Sequence, residues 1–258
     1  MLSYQHSYHA GNLADVHKHG LLAWMLAYLT RKDKPFSYME THAGRALYDL
    51  SADEAVKTGE AAQGIAQALD WFPDAHPFLQ VLQEVRAMHG QDAYAGSPLL
   101  ADRLARPDDQ LTLAELHPGE AAALHVALPG VRVHQRDGFE MAHAVIPPTP
   151  RRGLLLVDPS YEIKTDYTAI PQHAGKWIRA WNVGIIAIWY PILTSGAHHE
   201  MCAALTQKAP DALRHEVLFP PARPGHGMVG SGLFVTNPPF GLAEEAARLK
   251  HHFDLLGR

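Results

Sequence analysis

Four stretches of the chain run apolar for several residues and then stop on residues that bind ligands. Pro35 to Gly44 breaks at Thr41, His42 and Gly44, and Leu111 to Pro118 stops on Glu115. Val131 to Phe139 stops on Asp137 and Gly138, and Leu154 to Tyr161 stops on Asp158. Short apolar runs bounded by turn residues read as strands covered on both faces. Residues 12–29 place Leu13, Val16, Trp24 and Leu29 on a helical period behind Asn12, a good cap. That predicts an amphipathic helix carrying Lys18 and His19 ahead of the first strand. A last strand, Gly232 to Thr236, precedes a helix-like segment over 241–257. Strands alternating with helices predict an α/β fold, a doubly wound Rossmann-like sheet.

One connection is too long for a loop. Between Tyr48 and Gly96 there is no strand pattern, whereas 59–71 and 77–89 both look helical, with Pro73 between them. The expectation is one domain over 1–258 with an inserted helical subdomain over 49–96. Ser97 then reads as a helix cap before Pro98, with its hydroxyl facing the ligand. Pro147-Pro148-Thr149-Pro150 reads as a stiff surface turn.

In open α/β sheets ligands sit beyond the carboxyl ends of the strands, where all four of these polar groups fall. A carboxylate at Glu115 suits the two hydroxyls of a ribose, and Asp137 suits an adenine amino group, with Gly138 keeping the backbone close. The fourth strand end, Asp158-Pro159-Ser160-Tyr161, suits methylation of an exocyclic amino group. The lone pair of such a nitrogen is delocalised into the ring, so an enzyme needs fixed acceptors for its two N–H bonds. The Asp158 carboxylate and the Pro159 carbonyl are those acceptors, and Tyr161 offers a flat face for an extruded base. An ordinary Asp-Pro turn contains the same first two residues, and only the three strand ends upstream tip the balance. Asn237-Pro238-Pro239-Phe240 matches the same motif more closely in text. It follows the last strand, away from the crevice beside the first, and is expected to be a strand-to-helix turn with Phe240 packed.

Composition narrows the class. At 258 residues and 47% hydrophobic content the chain can bury one large core. Cys202 is the lone cysteine, so no intrachain disulfide is possible. The longest apolar run, Val183 to Leu193, is too short for a membrane helix, and the histidine-rich N-terminus is unlike a signal peptide. A monomeric cytoplasmic protein with no membrane partner is expected. His199-Glu200 lacks the second histidine of a zinc motif because position 203 is Ala, so no metal site is expected. The net charge of −5 gives no global basic footprint for nucleic acid. Arg31, Lys32 and Lys34, Arg132 and Arg136, and Arg151 and Arg152 read as solvated faces. Lys164, three residues past Tyr161, is the exception, placed to meet a nucleotide backbone.

Seven separated segments then carry a resemblance: residues 1–19, Thr41 to Gly44, Ala95 to Leu99, Glu115 to Pro118, Arg136 to Phe139, Asp158 to Tyr167 and Trp189 to Pro191. In this order they resemble the bacterial 23S ribosomal RNA adenine-N6 methyltransferase family, over nearly the whole chain. The resemblance implies a Rossmann-like S-adenosylmethionine-dependent methyltransferase fold with a small helical insertion, and one adenosine of 23S rRNA as substrate. It implies that His19, His42, Ser97, Glu115, Asp137, Gly138 and Asp158 line the cofactor and reaction site. Tyr4 would touch the RNA, with Lys18, Pro159, Tyr161 and Lys164 completing the substrate side. Two positions depart from the family pattern. Arg45 and Ala46 stand where Thr-His-Ala-Gly-Ala-Gly continues, and Ser160 replaces a second proline. DNA adenine methylation, or an adenosyl-binding protein without turnover, are the alternatives.

Overall fold

The computed structural model describes residues 5–223 and 225–256. Tyr4 lies outside them. Helix α1 (Leu13–Thr30) starts at Asn12, whose Oδ1 accepts from the Asp15 amide at 2.9 Å. It is buried on nearly every side rather than amphipathic, and Asp15, His17, Lys18 and His19 are all enclosed. Strand β1 (Ser37–Glu40) follows, then a three-residue strand β2 (Leu47–Asp49).

The next stretch departs from expectation. Residues 59–71 do not form one helix but break, after α2 (Asp53–Thr58), into α3 (Glu60–Gln63), α4 (Ile65–Ala68) and a 3-10 turn. Gly64 is the break. The Gly11 carbonyl takes the Ile65 amide at 2.8 Å, and a Cβ on Gly64 would lie 2.1 Å from that same oxygen. Helix α5 (Pro77–His89) is as expected, but β3 (Ala93–Ala95) then pairs antiparallel with β2, so the stretch does contain strand. Three residues are too few for a period of two to register.

The remaining elements are α6 (Ser97–Leu104), β4 (Gln110–Ala114), α7 (Pro118–Ala127), β5 (Arg132–His134), α8 (Gly138–Val145) and β6 (Gly153–Val157). After them come α9 (Asp166–Ala180), β7 (Ile185–Leu193), α10 (His198–Lys208), β8 (Leu213–Leu218), β9 (Met228–Thr236) and α11 (Leu242–Phe253). Among the described residues the main sheet has seven strands in the order β5-β4-β1-β6-β7-β9-β8. Its first five strands are parallel, and β9 is antiparallel to both β7 and β8. As expected, β6 lies beside β1, which places the topological switch between β1 and β6.

Both faces are covered, which is why β6 reads as an unbroken apolar run. Leu154 and Leu156 enter the core shared with α1, α5, α6 and α11, whereas Leu155 and Val157 enter the core under α8, α9 and α10. A helix crossing over each face leaves the ends of the parallel strands open, and the site lies at their carboxyl ends.

Candidate active site

A cavity of about 420 Å³ opens where β1, β4, β5 and β6 end, within the roughly 300–1,000 Å³ typical of small-molecule sites. Its wall includes His19, His42, Ser97, Glu115, Asp137, Gly138, Asp158, Pro159 and Tyr161 together with Lys18. Lys164 does not line it and lies exposed on the turn before α9.

One half of the cavity is built from backbone held by side chains. Glu115 Oε2 accepts from the Gly44 amide at 2.8 Å and Oε1 from the His117 amide at 2.7 Å, so the turns after β1 and β4 are tied through one carboxylate. A carboxylate has about four acceptor positions, which leaves two for hydroxyls. Asp137 caps α8 through Oδ1, which accepts from the Glu140 amide at 2.9 Å. Gly138 passes so close to β1 that a Cβ there would sit 1.8 Å from the Thr41 carbonyl oxygen. No other residue fits there. Two residues past Gly44, Ala46 holds φ at +70°, a left-handed conformation that favours glycine. Arg45 meanwhile makes a two-pronged pair with Glu120 of α7, at 2.9 and 2.6 Å, strapping the same two turns from outside.

Ser97 is not the helix cap. Gly96 occupies that position, and the Ser97 hydroxyl donates to Glu40 instead. Glu40 is fully buried at the end of β1 and also accepts from the Tyr38 hydroxyl at 2.8 Å. Burial drives its pKa up to about 8, against the opposing pull of those two hydrogen bonds. An uncompensated carboxyl so close to Ser97 outcompetes a helix terminus that still has Pro98 in its first turn.

On the reaction side, Lys18 does not reach out to RNA as expected. It is 4% exposed, and its ammonium lies 2.6 Å from Asp158 Oδ2 and 3.1 Å from Asp15 Oδ1. Burial opposes the charge, but the two carboxylates outweigh it and raise the Lys18 pKa well above its ordinary value. Asp15, which sequence reasoning does not single out, is the hub. Its Oδ2 accepts from the Gly11 amide at 2.9 Å and pairs with His6 Nε2 at 2.8 Å, fastening the N-terminal segment to the Lys18–Asp158 pair. An acid, a lysine and a histidine within about one turn of a largely apolar helix is the signal that could have marked it. Burial holds the His19 pKa down to about 3 and the His42 pKa to about 4, so both rings are neutral at physiological pH. His19 Nδ1 is hydrogen bonded to the Tyr94 hydroxyl at 2.8 Å.

Tyr161 borders the cavity but is only 6% exposed, with φ at +57°. Its hydroxyl donates to the Trp189 carbonyl at 2.6 Å, and its ring packs on Tyr167 at 4.8 Å. The far wall consists of residues the sequence did not mark as a site, including Trp189, Leu193 and Met228. Lys18 lies 5.3 Å from the Trp189 ring centroid, and Trp189 Nε1 donates to Ser231 Oγ at 2.9 Å. The second motif is elsewhere. Asn237 donates to the Asn182 and Gly184 carbonyls, ahead of β7, because antiparallel β9 ends at the opposite edge of the sheet. Phe240 is 83% exposed rather than packed.

A curated protein of Escherichia coli, "Ribosomal RNA large subunit methyltransferase J", is 38% identical over 95% of this chain and 90% of its own length. Its namesake in Haemophilus influenzae is 36% identical over 94% and 89%. A crystal structure of a Legionella pneumophila protein superposes with a TM-score of 0.87 at 33% identity, covering 96% of this chain and 94% of that one. The family model described as "Ribosomal RNA large subunit methyltransferase D, RlmJ" matches residues 33–254, and the chain belongs to that family.

Proposed function

We propose that the protein methylates the N6 amino group of one adenosine in 23S ribosomal RNA, with Asp158 and the Pro159 carbonyl as acceptors for the two N–H bonds. As a member of its family the chain is a methyltransferase acting on large-subunit ribosomal RNA, with S-adenosylmethionine as methyl donor. The observation carrying the finer reading is the state of Asp158. Lys18 holds its Oδ2, while Oδ1 has no hydrogen bond among the described residues and the carboxylate lines the cavity.

The residues at the strand ends fit the donor. The free acceptor positions of Glu115 suit ribose hydroxyls, the unused Oδ2 of Asp137 suits the adenine amino group, and the glycine backbone at Gly138 admits a flat ring against it. When bound, S-adenosylmethionine supplies an electrophilic methyl on a sulfonium. The chain's own work is on the amino group. Hydrogen bonds to Asp158 Oδ1 and the Pro159 carbonyl localise the nitrogen lone pair and aim it. Lys18 keeps the Asp158 carboxylate oriented through Oδ2, so that Oδ1 can accept the proton the nitrogen must lose as the new N–C bond forms. Tyr161 meets the base with the part of its ring that borders the cavity, and Lys164 is placed outside it for the nucleotide backbone.

Asp158→Asn keeps the shape and removes the charge. Cofactor affinity should stay within a few-fold by calorimetry, while single-turnover methylation of 23S rRNA falls by about 10² or more. Near-normal turnover would overturn the assignment, and mass mapping of the RNA product reads whether the base is N6-methyladenosine.

A further inference from the structure

The cavity end of the molecule is rich in carboxylates: Asp15, Glu115, Glu120, Asp137, Asp158 and Asp166 all line it. A polyanion cannot be held there by charge, and the chain as a whole carries −5. A separate group of cations lies at the other end. Arg31, Lys32 and Lys34 precede β1, Arg106 precedes β4, and Arg151 and Arg152 precede β6. Three runs that are separate in sequence are therefore brought together at the amino ends of adjacent parallel strands.

Geometry binds them into one surface. Arg106 donates to the Lys32 and Lys34 carbonyls at 2.8 and 2.7 Å, and Arg152 donates to the Lys34 carbonyl at 2.9 Å and to the Leu29 carbonyl. These two guanidiniums stiffen the 31–35 turn. Burial and the neighbouring Arg106 charge lower the Arg152 pKa, the mark of like charges in proximity. Asp33, Asp108 and Asp109 are the acids nearby, so six cations face three carboxylates. Beside them the Trp24 and Tyr28 rings stack at 6.0 Å and 13°, and Arg31 lies 5.3 Å from each centroid. Gly241 packs against Trp24, which puts the exposed Phe240 ring at the same border.

We infer that this basic, aromatic-edged surface is a second RNA contact, which grips the phosphates of the substrate at a distance from the methylated base. The inference rests on the rRNA reading of the cavity. RNA fits because the stiffened turn presents several positive charges side by side, as sequence-independent phosphate contacts require, and the exposed Phe240 ring offers a face to a stacked base. The four residues of β1 span roughly 13 Å, so flanking RNA has only the depth of the sheet to cross.

The side chains of Lys32, Lys34 and Arg151 make no hydrogen bond or ion pair among the described residues, so they can be altered without breaking the turn. The test is the triple variant Lys32→Gln, Lys34→Gln, Arg151→Gln in the full chain. Binding to a 23S rRNA domain transcript is titrated with salt, and methylation is followed on that transcript and on a short hairpin carrying the target. The slope of log K against log salt should fall by about 2 to 3, roughly one for each phosphate no longer neutralised. Transcript affinity near physiological salt should fall about tenfold or more, with hairpin turnover within twofold of the parent. An unchanged slope overturns the inference, as does an equal loss on hairpin and transcript. A loss of binding to anionic phosphatidylglycerol vesicles with RNA binding intact would assign the surface to a membrane instead. If the parent fails to methylate either RNA, the proposed function falls, while the salt slope still decides this one.

Discussion

Asp15 and Asp158 would repel each other without the Lys18 ammonium between them. A single cation serving a buried carboxylate and one that borders the cavity cannot be removed cheaply, since stranding the charge on buried Asp15 costs about 3–5 kcal/mol. Glu40 solves the same problem differently, by holding its proton. Its pKa of about 8 lies above the ordinary 4.5, so the folded state binds more protons across that interval. The contribution to stability is complete below pH 4.5 and is lost as pH rises towards 8. His19 and His42 run the other way. Their folded values of about 3 and 4 lie below 6.5, so their contribution is present above pH 6.5 and is lost on acidification. Glu40→Gln keeps hydrogen-bonding partners for Ser97 and Tyr38 and abolishes the titration. The difference in unfolding free energy between variant and parent should therefore grow from pH 4.5 to 8 in the variant's favour. A difference independent of pH across that window would mean Glu40 is not held protonated.

At the scale of elements, the two proline motifs separate by strand direction. β6 runs parallel to β1 and delivers Asp158 to the cavity, whereas antiparallel β9 delivers Asn237 to the far edge. Phe240, at 83% exposure, contributes no core there. Phe240→Ala should change stability by no more than about 0.5 kcal/mol, the range for surface positions. A loss of about 3–5 kcal/mol in denaturant unfolding would instead mean a buried ring. Four of the five parallel strands were legible because each of those apolar runs ended on a polar ligand-grade group, whereas β7 ends on Leu193 and carried no such mark. Nor was the burial of α1 legible. Its polar residues look like a solvent face, yet His17 joins Ser231 Oγ at 2.8 Å and His215 Nδ1 at 2.9 Å, partners about two hundred residues away. Neither α10 nor β8 stands out in the sequence, the latter an edge strand whose Arg214, His215 and Glu216 interrupt the apolar pattern. Asp15, Glu40 and Trp189 escape notice for the same reason, because each acts through neighbours met only on folding.

At the scale of the whole molecule, one end of the sheet holds the carboxylate-lined cavity and the other a basic cluster, so the two proposals put catalysis and electrostatic attraction to RNA at opposite ends. The turns at the hollow end depend on Glu115, which ties the backbone after β1 to that after β4 and stands where the cofactor ribose is proposed to lie. Cofactor binding should therefore be read out by global stability. At a concentration of 100 times the dissociation constant, a ligand of the native state adds about 2.7 kcal/mol. For a chain of this size that raises the melting temperature by roughly 5–10 °C, at about 2–4 °C per kcal/mol. Glu115→Ala should weaken S-adenosylmethionine by about 1–3 kcal/mol through unpaired buried hydroxyls. A loss of about 1.4 kcal/mol, tenfold in affinity, would leave only about half of the thermal shift at the same ligand concentration. The measurement is the melting temperature of parent and variant with and without ligand, each referred to its own unliganded value so that any loss of the Gly44 and His117 ties is subtracted. An undiminished shift in the variant would remove Glu115 from the ribose site.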